Sequence, residues 1–221
     1  MTQLVDSSQP EVYQGHFGEF TITESDRAGV RIYRGGLIAA SIIFAIATFL
    51  VLWQGNNPTV QEVLTPLYVF FSLALGVSLS TIHIYMILLH RLLQVFWAIG
   101  GVAALVLTLQ SSEPLALAVY NHPSVLWGIG FTFVALTGIY FKEAFCFNRL
   151  ETKFLTPIVP FLILGHIWGF LSPNKEQFLL GLWAVLFLIF ALRKLSQPIP
   201  QDIGDKSVFD RLHSQQSPNN K

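Results

Sequence analysis

The stretch FKEAFCFNRLETKFLTPIVPFLILGHIWG, residues 141–169, runs a charged turn straight into an apolar segment. Lys142, Arg149 and Lys153 lie in the turn, and the run from Phe154 to Leu171 is free of acidic and basic residues apart from His166. A hydrocarbon layer of about 30 Å takes on the order of 17–25 apolar residues to cross as a helix, so that run reads as a membrane span. The turn decides how many spans the chain has, because Lys and Arg remain on the cytoplasmic side during insertion.

Working outward, five further runs have the length of a span: Leu37–Trp53, Leu64–Leu89, Leu92–Leu109, Val125–Phe141 and Phe178–Leu192. The last is short unless Arg193 and Lys194 extend it by snorkelling. His90 and Arg91 are the only strongly polar residues between the second and third runs, and no glycine or proline marks a turn there. Merging those two runs would put the 142–153 turn opposite the N-terminal arginines. Six spans bring every one of the 13 basic residues except Lys175 to one side. The expectation is an all-α polytopic membrane helix bundle of six spans with both termini cytoplasmic, or stromal in a plastid.

Composition agrees. The chain is 52% hydrophobic and 12% charged, with a mean hydropathy of +0.55, against roughly 25% charged residues in soluble domains. Thirteen basic and thirteen acidic residues give no net charge, so nothing global attracts nucleic acid. A single cysteine excludes an internal disulfide and a cysteine-based zinc site. The first 36 residues lack the pattern of a cleaved signal peptide. The organisation expected is a cytoplasmic segment over 1–36, a transmembrane domain over 37–194 and a cytoplasmic tail over 195–221.

In the first segment, Phe17, Phe20 and Ile22 alternate as a short strand would, or lie against the membrane. Ser25 and Asp26 signal a helix start. Arg27, Arg31 and Arg34 then recur at helical spacing, which anchors the topology or contacts anionic headgroups. After the last span, Pro198, Pro200 and Gly204 break the helix, and Val208, Phe209 and Leu212 space an amphipathic turn. The end of the chain reads as disordered.

Several residues are chemically conspicuous. Gly76, Ser80, His83, His90, Arg91 and Gln94 approximate one stripe of the second span if it continues as a helix. His83 and His90 would then be about 10.5 Å apart at a rise of about 1.5 Å per residue, too far to share a metal. They either hydrogen-bond within the bundle or at headgroup level, or one joins His166 as a haem ligand pair. His166 lies in mid-span on this reading, where ionisable groups are costly and have a partner or a cavity. Gly165 and Gly169 beside it form a small-xxx-small pattern suited to close helix packing. Pro160 is expected to bend its helix. In the turn, Lys142, Glu143, Cys146, Arg149 and Glu151 fall short of a metal site and read as a charged cap pairing internally and with DIGDK, residues 202–206. Together with the arginine stripe they are the candidate contacts for lipid or partner.

No G-x-S-x-G, H-E-x-x-H, Walker or dinucleotide pattern occurs, so no enzyme class is assigned. At FGEFTITESDRAGVRIYR (17–34), FKEAFCFNRLET (141–152), LGHIWG (164–169) and QPIPQDIGDK (197–206) the chain resembles an uncharacterised family of integral membrane proteins of cyanobacteria and plastids. That resemblance implies a thylakoid or plasma membrane location and involvement with photosynthetic complexes. Three functions are therefore expected in order. The first is an accessory or assembly protein for a photosynthetic or electron-transfer membrane complex, with lipids and other membrane subunits as partners. The second is a small-molecule or ion transporter with Ser80, His83, Pro160 and His166 along its path. The third is a haem- or chlorophyll-binding protein using His166, His83 or His90.

Overall fold

The computed structural model describes residues 11–84 and 86–208. The expected turn at Phe209 and Leu212 lies outside the described residues. Six helices are long and apolar enough to cross a membrane, and they form an all-α bundle. A two-stranded antiparallel hairpin, β1 (Val12–Gln14) and β2 (Glu19–Thr21), precedes them, with Val12 opposite Thr21 and Gln14 opposite Glu19.

Helix α1 (Glu24–Gln54) is capped two residues before the expected Ser25. Thr23 is the cap: its hydroxyl accepts from the Asp26 amide at 3.2 Å while the Asp26 carboxylate accepts from the Thr23 amide at 2.8 Å. This reciprocal pair satisfies two amides that a helix start otherwise leaves open. The juxtamembrane helix and the first span are thus one continuous rod. Its return partner α2 (Pro58–Thr81) is capped by Asn57 and approaches α1 so closely at Gly36 that a Cβ there would stand 2.7 Å from the Ala74 carbonyl.

The second span departs from expectation. Helix α2 ends at Thr81, eight residues before Leu89, and Ile82 is extended at ψ 135°. Helix α3 (Ile87–Gln110) begins after a short non-helical connection. The stripe from Gly76 to Gln94 is therefore divided between two antiparallel helices and the connection, which holds His83. His90 Nε2 lies 2.7 Å from the Leu79 carbonyl, and Gln94 Nε2 donates to the same oxygen at 3.4 Å. Two α3 side chains close the open carbonyl end of α2, which is why no glycine or proline is needed at the break.

The other connection contains α4 (Leu115–Asn121) and a short 3₁₀ turn at Pro123–Val125 before α5 (Leu126–Phe147). Asn148, left-handed at φ 52°, ends α5, and α6 (Leu150–Ile167) follows at once. Asparagine tolerates that conformation better than most residues, so two residues turn the chain. Helix α6 runs unbroken through Pro157 and Pro160. The sixth span is not short: α7 runs Pro173–Leu195, and α8 (Ile199–Ile203) follows Pro198.

Helix α1 packs on α2 and α7, α3 on α5, α5 on α6, and α6 on α7. Mid-bundle, the rings of Phe44 and Trp183 stand 4.5 Å apart, Phe133 and Trp183 5.3 Å, and Phe71 and Phe133 5.9 Å. These side chains fill the interior between the two ends. Arg34 pairs with Asp202 and Asp26 with Lys206, so the two described ends of the chain meet at one end of the bundle. That end carries the basic residues.

Candidate functional site

At the basic end α1, α5, α7 and α8 converge on Lys194, whose side chain is fully buried in the last turn of α7. Its ammonium lies 2.7 Å from Glu143 Oε2, is ion-paired to Asp202 Oδ1, and donates to Gln197 Oε1 at 3.3 Å. It also stands 4.5 Å from the centre of the Phe147 ring and 5.6 Å from that of Tyr33. A buried ammonium costs several kcal/mol of lost hydration, on the order of what two carboxylates and two ring faces return. The snorkelling expected of Lys194 does not occur, because counter-charges are available inside.

Each carboxylate is shared by two cations. Glu143, with no exposed surface, accepts from Lys142 Nζ at 2.9 Å and from the Tyr33 hydroxyl at 3.2 Å on the oxygen that Lys194 does not use. Asp202 Oδ2 accepts from Arg34 Nε at 2.8 Å and Nη2 at 2.6 Å, leaving Oδ1 to Lys194 and to Gln197 Nε2 at 3.1 Å. Arg34 also donates to the Pro198 carbonyl at 3.3 Å. The two prolines after α7 end that helix and turn the chain back, which brings Asp202 over Lys194. Arg149 Nη2 donates to Gln197 Oε1 at 2.7 Å, and Arg193 pairs with Glu151 at 2.9 Å, which adds α6 to the cluster.

A second layer docks the N-terminal hairpin on the tail. Asp205 accepts from the His16 amide at 2.6 Å, and the Ser207 hydroxyl accepts from the Phe17 amide at 3.0 Å. The His16 amide above all, then Ser207, holds the Asp205 carboxyl below its usual value. Lys206 Nζ pairs with Asp26 at 2.8 Å, and His83 Nε2 stands 4.0 Å from the same carboxylate. Partial burial lowers the His83 pKa, with Asp26 pulling the other way. His83 Nδ1 is buried without a hydrogen-bond partner among the described residues.

The expected site residues separate into distinct places. Arg34, Lys142, Glu143, Arg149 and Glu151 meet in the ion cluster. Arg27 instead pairs with Glu11 at 2.9 Å, and Arg31 and Cys146 are exposed. The arginine stripe is therefore not one outward face: Arg34 turns inward. His166 is not in mid-span but in the last turn of α6, where Nδ1 lies 2.9 Å from Glu176 Oε1 and the ring 5.4 Å from that of Tyr120. Gly165 and Gly169 do not hold a neighbouring helix. The Gly169 amide donates to the His166 carbonyl and the Phe170 amide to the Gly165 carbonyl, both at 3.2 Å, with Gly169 at φ 69°. LGHIWG is thus a helix stop in which glycine supplies the left-handed residue.

The three histidines are not brought together. His83 and His90 lie at the basic end and His166 at the other, about 25 Å away along α6 at about 1.5 Å per residue, so no haem spans them. Ser80 and Pro160 are exposed on the outside of the bundle and do not line a path with His83 and His166. Among the described residues, no group of three or more His, Cys, Asp or Glu is placed to hold a metal ion. Lys194, Gln197 and Tyr33 were absent from the sequence candidates, and Asp202 entered only as part of the DIGDK segment. Their signal was a lysine in the last turn of a span followed by a proline-bounded acidic residue.

Residues 77–211, more than half the chain, match the family described as uncharacterized integral membrane protein, DUF2301. The chain belongs to that family. The matched region holds Lys142, Glu143, Lys194 and Asp202 but begins after Tyr33 and Arg34, so the cluster's α1 contribution lies outside it. A protein of Haemophilus influenzae, described as uncharacterized, is 27% identical over 184 residues, covering 83% of this chain and 91% of its own. Haemophilus is not a cyanobacterium, so the expected restriction to cyanobacteria and plastids, and with it the thylakoid location, is not supported. No solved structure matches.

Proposed function

We propose that this protein is a non-catalytic membrane subunit that binds, or helps assemble, a larger membrane complex through the surface at its basic end. One observation carries the reading. Segments far apart in sequence, around Tyr33 and Arg34, Lys142 to Glu151 and Arg193 to Ser207, are tied into one surface by buried ion pairs, with the half-exposed Arg193–Glu151 pair at its edge. Such pairs return little net stability over an apolar core, and what they supply is one defined arrangement. A surface fixed in shape is what recognition by another subunit requires, and exposed Arg31 and Arg193 give it positive charge. The bias of basic residues orients it to the cytoplasm. The partner is another membrane subunit.

Gentle solubilisation from the native membrane followed by native gel separation tests this. The wild type is expected in a large assembly, and Arg31→Glu is expected to release a folded monomer. Wild-type migration as a free monomer or homodimer, under conditions that keep other large complexes intact, contradicts it. Transport has no comparable support, since its four residues are divided between surfaces and ends.

A further inference from the structure

Helices α3 and α6 both pack on α5, and between them an apolar groove of about 500 Å³ opens on the side of the bundle that faces lipid. Leu93 of α3 forms one wall, Val159, Pro160 and Ile163 of α6 the other, and Gly130 and Val134 of α5 lie on the floor. Its volume is in the range of about 300–1,000 Å³ typical of ligand sites. The two hydroxyls in its lining are spent on their own helices: Thr137 donates to the Phe133 carbonyl at 2.7 Å and Thr156 to the Thr152 carbonyl at 2.8 Å. Apart from the Trp127 indole at the end away from the basic residues, the groove therefore offers hydrocarbon surface.

Its basic end is different. There the groove shares Phe141 and Thr156 with a smaller hollow of about 330 Å³ whose rim carries Lys153. Arg149 and Arg193 nearby are committed to Gln197 and Glu151, whereas the Lys153 side chain is exposed and has no ion-pair partner among the described residues. From Leu126 to Phe141 the floor rises about 22 Å at about 1.5 Å per residue, more than one leaflet of a core about 30 Å thick. An apolar slot of that length, ending at an unpaired cation at headgroup level, complements a single hydrocarbon chain carrying a negative head.

We infer that the groove between α3, α5 and α6 holds one acyl chain of an anionic phospholipid, with its phosphate on Lys153. This is independent of the protein-docking reading, which uses a different surface. The second acyl chain remains in the bilayer, and the ammonium meets the phosphate as a point charge.

The test is native mass spectrometry of the full chain released from nanodiscs of mixed phosphatidylglycerol and phosphatidylcholine. Wild type is expected to retain one phosphatidylglycerol in preference to phosphatidylcholine. Lys153→Gln is expected to keep a bound chain but lose about five-fold of that preference. Val134→Trp fills the groove and is expected to lose the bound lipid. Gly130→Leu is the second blocking variant, since the nearest atom to its new Cβ is Ile163 Cγ2 at 3.9 Å. Equal retention of the two lipids by wild type overturns the inference, as does undiminished retention in a folded blocking variant. Cross-linked dimers formed through position 134, or an isoprenoid as the lipid found in protein from native membranes, also overturn it.

Discussion

Lys194 Nζ and Glu143 Oε2 stand 2.7 Å apart with both side chains wholly removed from solvent, and neither group has water to fall back on. Replacing Lys194 by Met strands Glu143 and Asp202 as buried, under-compensated charges, at a cost of about 3–5 kcal/mol. Thermal unfolding in detergent, followed by circular dichroism, is expected to show that loss. The pair Lys194→Met with Glu143→Gln is expected to recover part of it. A K194M protein that unfolds at the wild-type temperature would mean that the ammonium is not buried among these partners.

The Leu79 carbonyl offers a smaller test. His90 Nε2, at 2.7 Å, is its nearer partner, and His90→Phe keeps the ring while removing the nitrogen. A buried carbonyl losing its main partner costs about 1–3 kcal/mol. Faster amide exchange over 75–82, at the end of α2, is the local signature to look for. Unchanged exchange there would show that α2 ends for another reason.

Acid should loosen the terminal layer before the bundle. Asp205 has a depressed folded pKa, owing first to the His16 amide, so its contribution is present above the unfolded value of about 3.9 and is lost as pH falls through the folded value. Spin labels on Glu19→Cys and Val208→Cys, with Cys146→Ser, should report one narrow distance at neutral pH. The distance should broaden below about pH 3.9, and Asp205→Asn should broaden it already at neutral pH. A distance that stays narrow in Asp205→Asn would remove the carboxylate from hairpin docking.

Topology can be read by labelling in intact cells. In a Cys146→Ser background, Lys175→Cys should react with an impermeant reagent and Lys206→Cys should not, as the bias of basic residues implies. The reverse pattern would invert the bundle.

The six spans were legible because a membrane solvent imposes length and apolarity on each of them separately, and the basic residues then sort the connections. The end of α2 was hidden. Its capping group is supplied by His90 and Gln94, 11 and 15 residues onward, and the hydropathy of residues 82–89 is that of a continuing span. His166 was misplaced because LGHIWG has the spacing of a packing motif as well as that of a helix stop, and only the backbone at Gly169 distinguishes them. In the cluster, Glu143, Arg149 and Glu151 stood out as charges beside a span. Lys194 did not, since a lysine at the end of a span is ordinarily a snorkelling residue and its partner Asp202 comes within reach only once α8 turns back.

The tail is clamped to the first helix. Arg34 and Asp202, 168 residues apart in sequence, share two hydrogen bonds at 2.8 and 2.6 Å. A double-mutant cycle with Arg34→Met and Asp202→Asn, read by thermal unfolding in the same detergent, measures that contact directly. The structure predicts a coupling energy of at least about 1 kcal/mol, and additivity of the two changes to within about 0.5 kcal/mol would contradict it.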